Sequence, residues 1–554
     1  MSQQHSRRVR HVAGCTALAL AAGLLTVAAG QAAAAEQPAA YALIKAKPRF
    51  DVDGDGRTDQ ITRSYDGKTR IRLSATGTTA AYTIAHGGDA DRRAKDVIPA
   101  GDLSGTAAPE LVVVWSDGEL YTYSAEGTTG SLTGNWQGSG YQTYNKVLSP
   151  GDVTKDGRPD LLGRTPAGDL FFYRGTGETR AFAPRVRIGG GWNAYDQLVG
   201  TGDLDGDGVG DLLARTPSGD LFYYQGSGLA AAPFKARVKV GTGWGAYNQI
   251  IAADDLNGDG RADVLARTLA GSYYQFLSQG RGHFAGRTFV RGGGQYHRLI
   301  AGGGGVPDYG KHEVITTDRA GTAYRRYTLA NGRLAAARQY GETGAYGNGG
   351  LRGYLISALD EKDTAHFGRV YSSSLWVEGI GDVSTGSAWG GYRRVAGAGD
   401  VTGDGKGDVV AQDMYGGLYL YPGLKGYLYP KLGTRLKIGS GWSGVHELVG
   451  AGDVSGDGRP DLLACDTTGR LYLHPGTGSA TAPFGTRVLI GSGWNVYSSL
   501  AAPGDMTGDG RADLLAVDTA GDVYRYTATG KTGTATFSSR VKIASGWTPE
   551  SDVR

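Results

Sequence analysis

The sequence predicts an all-β protein of about ten four-stranded units, each of about 50 residues, arranged as the blades of β-propellers. One observation is an acidic phrase that recurs along the chain, and a second is the set of short strand-like runs that follows each copy. The third is the composition, because 95 Gly and 32 Tyr beside only 3 Met suit short strands and tight turns rather than packed helices. The copies of the phrase begin at Asp51, Asp102, Asp152, Asp203, Asp255, Asp400, Asp453 and Asp505.

The unit that contains Asp203 shows the four strands most clearly. Its runs YDQLVG (195–200), DLLAR (211–215), LFYYQ (221–225) and ARVKVG (236–241) are separated by turn-forming stretches such as TPSGD and GSG. A run as short as DLLAR, flanked by Gly and Asp, indicates a buried strand and not a helix. Four short antiparallel strands in each repeated unit are typical of propeller blades, which bury their faces against neighbouring blades.

The number of units decides the domain organisation. Two units are degenerate: one begins at Gly305 (GVPDYGKHE), and the other, 353–399, keeps only strand-like fragments such as RVYSS. Ten units exceed the roughly four to eight blades that are usual in one ring. We therefore expect two five-bladed rings, residues 36–300 and 301–554, with the glycine run Gly302–Gly305 near their boundary. A seven-bladed ring with a degraded remainder, or one large ring, is the alternative.

The first 35 residues have the pattern of a secretory signal. Three arginines precede a mostly apolar run (12–29), and small residues provide a cleavage site that ends at Ala35, before Glu36. We therefore expect a secreted, extracellular protein without membrane contact after cleavage. A retained membrane anchor, lipidation at Cys15 and twin-arginine export are alternatives with less support in the pattern.

Charge and cysteine content argue against two classes of protein. Removal of the leader takes away three Arg and no acidic residue, which leaves equal numbers of basic and acidic residues. A neutral chain without a basic cluster lacks the electrostatic footprint that nucleic-acid binding requires. Because Cys15 lies in the leader, Cys465 has no partner in the exported chain, and no intramolecular disulfide is expected.

The acidic phrase has the ligand spacing of a calcium loop. In DLDGDGVGD, oxygen-bearing side chains occupy positions 1, 3, 5 and 9, glycine at position 6 allows a sharp turn, and the carbonyl of position 7 can point inward. An all-oxygen donor set with several carboxylates favours Ca²⁺ over Mg²⁺. A strand follows position 9 at once, so we expect a β-loop site and not an EF-hand. Seven intact loops predict up to seven structural Ca²⁺ sites, with the metal-ligand residues Asp51, Asp53, Asp55, Arg57, Asp59, Asp152, Thr154, Asp156, Arg158, Asp160, Asp203, Asp205, Asp207, Val209, Asp211, Asp255, Asn257, Asp259, Arg261, Asp263, Asp400, Thr402, Asp404, Lys406, Asp408, Asp453, Ser455, Asp457, Arg459, Asp461, Asp505, Thr507, Asp509, Arg511 and Asp513.

Two copies of the phrase have lost this spacing. The copy at Asp102 (DLSGTAAPE) lacks the acid at position 5 and the glycine at position 6, and the copy at Gly305 has also lost position 1. We expect both to bind metal poorly. For the intact copies, the alternative is a plain Asp- and Gly-rich turn, but seven equal sets of packed carboxylates would repel without a cation.

The phrases GDLDGDGVGDLLAR, GDVTGDGKGDVVAQ and GDVSGDGRPDLLAC resemble FG-GAP (VCBS-type) repeats, the blade unit of the integrin α-chain propeller and of many secreted bacterial proteins. The resemblance covers nearly all of residues 45–550. It implies a β-propeller with Ca²⁺ in blade loops, used mostly for adhesion or as an accessory module. A shorter phrase, RVLIGSGWNVYSSL, resembles the blade phrase of five-bladed tachylectin-type lectins, which implies binding of N-acetylated sugars. The unit at 353–399 departs from both patterns.

Aromatic residues provide the candidate ligand contacts. The tryptophans of a repeated GW phrase follow glycines near a loop, where they either contact a ligand or plug the space between blades. The 9 His are scattered, and the exported chain has no HExxH, CxxC, nucleophile elbow or Walker loop. Cys465, in LLACD, has the pattern of a buried strand residue and not of a nucleophile. The candidate ligand contacts are Trp192, Trp244, Trp442 and Trp494.

Together these features predict a secreted, monomeric, calcium-stabilised propeller protein that acts as a binding or adhesion module for glycans or other cell-surface polymers and is not an enzyme. An extracellular polysaccharide hydrolase or lyase, with a site assembled from distant blades, is one alternative. A structural scaffold without a ligand is the other.

Overall fold

The computed structural model describes residues 48–547, apart from residues 87–92, 126, 179, 308, 319, 344–352, 360–364, 372, 385–388 and 425–429. The predicted leader, residues 1–35, lies outside the described residues. The regular structure of the described chain consists of 46 strands and 8 short 3₁₀ turns. Within this part of the chain, no helix has the length and apolarity that a membrane crossing requires.

The first half of the described chain contains 24 strands. They are β1 Gln60–Ser64, β2 Thr69–Arg72, β3 Thr79–Ala81, β4 Thr83–Ile84, β5 Ala94–Gly101, β6 Glu110–Trp115, β7 Leu120–Ser124, β8 Gly130–Ser131, β9 Asn135–Gly138, β10 Lys146–Gly151, β11 Asp160–Arg164, β12 Leu170–Tyr173, β13 Val186–Gly189, β14 Gln197–Gly202, β15 Asp211–Arg215, β16 Leu221–Tyr224, β17 Val238–Gly241, β18 Tyr247–Asp254, β19 Asp263–Thr268, β20 Tyr273–Phe276, β21 Ser278–Gly280, β22 His283–Phe284, β23 Thr288–Arg291 and β24 His297–Ile300.

The second half contains the remaining strands. They are β25 Glu313–Thr317, β26 Ala323–Leu329, β27 Arg333–Leu334, β28 Arg338–Tyr340, β29 Gly353–Ile356, β30 His366–Tyr371, β31 Ser374–Val377, β32 Gly381–Asp382, β33 Tyr392–Gly399, β34 Asp408–Asp413, β35 Leu418–Tyr421, β36 Gly423–Leu424, β37 Lys431–Leu432, β38 Leu436–Gly439, β39 Val445–Gly452, β40 Asp461–Asp466, β41 Leu471–His474, β42 Val488–Gly491, β43 Tyr497–Gly504, β44 Asp513–Asp518, β45 Val523–Tyr526 and β46 Val541–Ala544.

Forty of these strands form ten four-stranded antiparallel sheets, and the other six form three two-stranded sheets, which confirms the predicted all-β propeller class. Inner strands of successive sheets contact one another, as β10 contacts β5 and β14, so each sheet is a blade. Blades 1–5 are β24-β1-β2-β3, β5-β6-β7-β9, β10-β11-β12-β13, β14-β15-β16-β17 and β18-β19-β20-β23; blades 6–10 are β25-β26-β27 with β28 on β26, β29-β30-β31-β32, β33-β34-β35-β38, β39-β40-β41-β42 and β43-β44-β45-β46.

Burial follows strand position within a blade. The second strand of blade 4, β15 (DLLAR), is buried at every residue because neighbouring blades cover both of its faces. The outermost strand, β17 (VKVG), has two exposed residues followed by two partly buried ones. Its charged residue on an exposed edge is one way in which sheet proteins discourage pairing with other chains.

The first five blades form a ring, ring 1, which closes by sharing a strand. β24 belongs in sequence to the sixth unit, yet it pairs antiparallel with β1 and completes blade 1. Blade 6 consequently begins with β25 among the described residues. β24 ends at Ile300, and the division of the chain into two domains near that residue stays a prediction.

The glycine run that follows β24 lies among the inner strands of ring 1. The N–H of Gly304 donates to the carbonyl of Ile250 (2.9 Å), and the N–H of Leu198 donates to the carbonyl of Gly304 (2.9 Å). A Cβ atom on Gly304 would lie 2.5 Å from Val199 Cγ2. The run therefore has no side chains because the chain passes too close to neighbouring strands to accommodate them.

Arg49 joins the inner strands of three blades in ring 1. Its Nε and backbone N–H donate to the two carboxylate oxygens of Asp254 (2.6 and 2.8 Å), and its Nη1 donates to the carbonyls of Ser149 (2.9 Å) and Gly200 (2.8 Å). Both charged side chains are buried. Asp254 has φ 47°, at a position where most of the other loops have glycine, such as Gly202 with φ 81°. The ion pair holds this strained residue in place.

Blades 6–10 form the second ring, ring 2, by packing. Blade 6 lies between its two neighbours: Ile315 packs with Leu355 of blade 7, and Val314 packs with Leu515 of blade 10. β25 also contacts β43 at the inner end of blade 10. The ring thus closes through side-chain packing between blades 6 and 10.

The acidic loops of ring 2 contact ring 1, at the end where the inner strands of ring 1 begin. Asn145 Nδ2 donates to the carbonyl of Asp457 (2.9 Å), and Arg267 Nη2 donates to the carbonyl of Gly508 (3.1 Å). Asn248 Nδ2 donates to the carbonyl of Thr507. The acidic loops therefore fall into two sets, those on the far end of ring 1 and those at the joint between rings.

We predict that Arg49→Met lowers the thermal stability of ring 1. The substitution removes the donors to the carbonyls of Ser149, Gly200 and Thr201. It also leaves the Asp254 carboxylate buried without its cation, a loss of about 3–5 kcal/mol for a broken buried pair. Arg57→Met, on an exposed loop, is the control. Differential scanning calorimetry of both variants measures the effect. An unchanged unfolding transition of ring 1 in Arg49→Met would contradict the role given to this residue.

Candidate functional site

The acidic loop of blade 4 is folded around the carboxylate at its first position. Asp203 Oδ1 accepts the N–H groups of Gly206 (2.7 Å) and Asp207 (3.1 Å), and its Oδ2 accepts the N–H of Gly208 (2.8 Å). The N–H of Val209 donates to Asp207 Oδ1 (2.9 Å). The same contacts recur in other intact loops, for example from Gly456, Asp457 and Gly458 to Asp453, and the loop at Asp152, with Lys155 at position 4, keeps the last two of them. The spacing read from the sequence thus corresponds to one repeated loop geometry.

The carboxylate at position 9 ties the loop to the rest of its blade. Asp211 is fully buried; its Oδ2 accepts the N–H of Leu204 (2.9 Å), and its Oδ1 accepts the N–H of Gly226 (2.8 Å), beyond the third strand. The partners lie seven residues before and fifteen residues after the acid. The same spacing links each of the other buried acids at position 9, Asp59, Asp160, Asp263, Asp408, Asp461 and Asp513, to two backbone amides.

Carboxylates converge in two of the loops. Oxygens of Asp51, Asp53 and Asp59 lie within 4.8 Å of one another, and so do those of Asp203, Asp205 and Asp211. In the other intact loops position 3 is Asn, Thr or Ser, so one carboxylate fewer is available there. These two loops supply three carboxylates each, the donor type that Ca²⁺ prefers.

The surroundings of these acids disfavour the charged form of the carboxylates. Burial, with smaller contributions from neighbouring carboxylates, raises the pKa of Asp59 to about 6 and that of Asp160 to about 7. The same causes raise the pKa of Asp408 to about 8, and burial raises that of Asp211 well above its ordinary value. A cation placed among these oxygens would compensate the charge. The donor set therefore fits a divalent cation.

Basic side chains contact some of these acids. Arg511 Nη2 lies 2.6 Å from Asp509 Oδ2, and Arg174 Nη1 lies 3.2 Å from Asp156 Oδ2. At position 7, the backbone N–H donates to the acid at position 5, as Arg57 does to Asp55 Oδ1 (2.8 Å). The assignment of metal-ligand residues, including the carbonyl at position 7, stays a prediction.

The degenerate loop at Asp102 keeps the fold of the intact loops. Its carboxylate accepts N–H groups of Gly105 and Ala107, and Glu110 replaces the acid at position 9 by accepting the N–H of Leu103 (2.6 Å). Ala107 has φ 69° at position 6, where glycine would be unstrained. Two acids remain in this loop, so it provides a comparison, within the same chain, for a loop with fewer metal ligands.

The tryptophans of the GW phrase lie between blades. Trp244 and Trp494 are buried and Trp192 and Trp442 partly buried, and each begins a 3₁₀ turn. The rings of Trp192 and Tyr224 are 4.8 Å apart between centroids, and Trp192 also packs on the core between blades 3 and 4. This geometry favours the plugging role over ligand contact for the four tryptophans.

The glycines of the phrase serve this packing. A Cβ on Gly241 would lie 2.6 Å from Nε1 of Trp244, so the indole requires a glycine at that place. The next glycine, Gly243, has φ 77° and precedes the 3₁₀ turn as its N-cap. Two residues that the phrase did not reveal occupy the same place as the tryptophans: Trp389 stacks on Tyr421 (4.4 Å), and Tyr141 stacks on Tyr173 (5.6 Å). Their spacing to the following tyrosine, Tyr392 or Tyr144, could have identified both.

A second repeated feature, the blade-edge cluster, consists of an exposed arginine before the outermost strand, an aromatic ring of the third strand and a tyrosine before or at the start of the inner strand. In blade 3 the guanidinium carbon of Arg185 lies 4.6 Å from the centroid of Phe171, and its Nη1 donates to Tyr144 Oη (2.6 Å). The clusters are Arg185/Phe171/Tyr144, Arg237/Phe222/Tyr195, Arg287/Tyr274/Tyr247, Arg435/Tyr419/Tyr392 and Arg540/Tyr524/Tyr497, with Arg487 over Tyr472 in blade 9.

Cys465 lies in the core between blades 9 and 10. Its side chain is buried, and burial raises the pKa of the thiol to about 12. A thiol in this state is a poor nucleophile. The observation supports the buried strand residue that the sequence indicated.

Comparison with known proteins identifies four FG-GAP-like repeats, at residues 152–214, 203–266, 400–464 and 453–516, which confirms the resemblance for these stretches. No curated protein matches the chain. Among solved structures, the BP39L lectin from Burkholderia pseudomallei is 14% identical, with a TM-score of 0.23, over 73% of this chain and 99% of the lectin. BBS1N in complex with ARL6DN is 11% identical, with a TM-score of 0.22, over 63% of this chain and 82% of that chain. At these TM-scores the two structures carry no argument about function.

We predict that Asp211→Asn destabilises blade 4 even in excess EGTA. An amide presents only one acceptor oxygen, so one of two buried backbone N–H groups loses its partner, at about 1–3 kcal/mol. Hydrogen exchange measured by mass spectrometry should become faster in peptides that contain Leu204 and Gly226. Asp207→Asn, at an exposed loop position, is the control. Equal exchange in both variants would mean that Asp211 matters only for metal binding.

Proposed function

We propose that this chain, with four FG-GAP-like repeats in two rings of blades, is a secreted, calcium-stabilised propeller protein that binds glycans or other cell-surface polymers. The coarser statement, a propeller binding module, follows from the repeats and the fold. The calcium, the export and the ligand class are the parts that require experiment.

The calcium component rests on the convergent acids. In the loop of blade 4, Asp203, Asp205 and Asp211 would hold the ion, and the loops at the other intact copies would do so with fewer carboxylates. Bound Ca²⁺ supplies positive charge among oxygens and performs no reaction step. The residues of this chain hold the loop closed through the backbone hydrogen bonds of Asp203 and Asp211. Ion binding to the folded loop alone would add to the free energy of unfolding.

The observation that carries the binding function is the repeated blade-edge cluster. Each cluster keeps an arginine exposed while an aromatic ring and a tyrosine hydroxyl fix its position. The guanidinium has five N–H donors, and the hydroxyl engages only part of them. Similar polar groups at the edges of several blades suit a ligand that is itself repetitive, such as a polysaccharide, because linked contacts multiply affinity.

The same geometry favours binding over catalysis. The acids at position 9 accept backbone amides inside the blades, and Cys465 is buried, so these groups are engaged in the fold. Export rests on the sequence pattern of residues 1–35 alone, and the lone cysteine of the remaining chain accords with a fold that needs no disulfide. We further propose that the exported chain is a monomer.

Removal of calcium is expected to lower the melting temperature. One site with free Ca²⁺ at about 100 times its Kd contributes about 2.7 kcal/mol. Asp205→Asn gives this loop the donor set of the loop at Asp255, so it should weaken Ca²⁺ binding at one site in equilibrium dialysis, whereas Ser104→Ala, at the same position of the degenerate loop, should leave Ca²⁺ binding unchanged. An identical melting curve in EGTA and in Ca²⁺ would remove calcium from the proposal.

A glycan array is expected to show binding to a defined set of polysaccharides at saturating Ca²⁺. Release of reducing ends is then measured on the best ligand, and we expect none over background. Reducing-end release would identify a hydrolase or lyase instead. An array without any bound glycan would leave the scaffold as the better description and end the glycan proposal.

A further inference from the structure

A groove between blades 2 and 3 interrupts the repeated packing. It is lined by Trp136, Gln137, Ser139, Tyr141, Arg180 and Arg185, together with Tyr173 and neighbouring backbone, and its volume is about 490 Å³. We call it the Trp136 groove. Ligand pockets of proteins typically measure about 300–1,000 Å³, so the groove is large enough for one or two sugar units.

The groove lies where tyrosine replaces the tryptophan of the GW phrase. Between blades 3 and 4, Trp192 lies 4.8 Å from Tyr224, whereas Tyr141 lies 5.6 Å from Tyr173 between blades 2 and 3. The phenol ring is smaller than an indole and brings a hydroxyl group. At this blade junction the chain therefore has more space than at the Trp192 junction, and a phenol hydroxyl takes the place of the indole N–H.

An exposed tryptophan stands at the groove. Trp136 is 57% exposed on the outermost strand, β9, and pairs in register with Tyr121. At the same register position blade 3 has Arg187 and blade 4 has Lys239, which are charged residues suited to an exposed sheet edge. An indole face exposed to water beside a cavity is the usual platform for the apolar face of a sugar ring.

The charges at the groove are positive. Arg180 and Arg185 are both exposed, and among the described residues that line the groove none carries a carboxylate. Arg185 is held by Tyr144 Oη and by the ring of Phe171, so its orientation is fixed before a ligand arrives. Arginine pairs with carboxylates through two parallel hydrogen bonds.

We propose that the Trp136 groove binds an acidic saccharide, a sugar unit of the uronic-acid class, with Trp136 stacked on the sugar ring and Arg180 and Arg185 bound to its carboxylate. Tyr141 and Ser139 also line the groove, and we expect their hydroxyls to contact the hydroxyl groups of the sugar. Burial raises the pKa of Tyr141 to about 12, so its hydroxyl keeps its proton at neutral pH. This inference rests on the proposed glycan-binding function and names one site and one ligand class for it.

The test is isothermal titration of the full chain with trigalacturonate and, separately, with neutral maltotriose, at fixed free Ca²⁺. We expect binding of trigalacturonate and at least tenfold weaker binding of maltotriose. Trp136→Ala should weaken trigalacturonate binding at least tenfold, and Arg180→Gln should weaken it and reduce the preference over maltotriose.

Tyr141→Trp is the most informative variant. It installs the indole that other blade junctions accommodate, above a glycine, Gly138, that matches Gly189 in the next blade. We expect an unchanged melting temperature and loss of trigalacturonate binding, because the indole fills the groove. Phe289→Ala is the matched control for Trp136→Ala, since Phe289 is an exposed aromatic residue (58%) at the register position in blade 5 that Trp136 occupies in blade 2.

Each of the other possible results contradicts one part of the proposal. Trigalacturonate binding that survives both Trp136→Ala and Tyr141→Trp places the ligand elsewhere. Equal affinity for maltotriose refutes the acidic preference. If the glycan array shows ligands but trigalacturonate does not bind, the groove proposal fails while the glycan-binding function stands; an empty array contradicts both.

Discussion

One buried carboxylate holds each repeated blade together at the turn from its inner strand to its second strand. The acid at position 9 of the loop accepts an amide from the loop itself and another from the chain beyond the third strand, as Asp211 does with Leu204 and Gly226. Because this side chain is fully buried, its charge is compensated only by the dipoles of the amides and by whatever cation the loop binds. Strand order, loop shape and metal affinity are therefore linked at a single residue in each blade that has an intact loop.

The two rings use these loops in different surroundings. In ring 1 the loop that begins at Asp51 is largely exposed, whereas the loop that begins at Asp505 is mostly buried and contacts ring 1 through Thr507 and Gly508. The side chain of Arg511 lies 2.6 Å from Asp509 and 3.6 Å from Asp196 across the joint. Basic groups thus stand close to the acids of a joint loop, and a cation that enters there must share the carboxylates with them. Loops of nearly identical sequence are consequently expected to differ in affinity.

The repeated part of the structure could be predicted from the sequence, because each strand, turn and loop recurs with its own local signal. The sequence predicted Asp203 and Asp211 as metal ligands of the loop, and it predicted DLLAR as a buried strand. The exceptions depend on contacts between residues far apart in the chain, which leave no periodic pattern. The pairing of β24 with β1 and the contact of Arg49 with Asp254 are of this kind. The sequence left two roles open for Trp192, ligand contact and packing between blades, and its contact with Tyr224 favours packing.

Departures from the repeat are where this chain gains properties that the average blade lacks. Asp254 stands in place of a glycine and is strained, yet it provides the buried partner of Arg49. Tyr141 stands in place of a tryptophan, and the space it leaves is lined by two arginines and an exposed indole. A repeated packing position tolerates such a change only when a neighbouring contact replaces the lost one, as the stacking of Tyr141 on Tyr173 does. The repeat therefore supplies a rigid frame, and ligand specificity can arise at a single blade junction without loss of the fold.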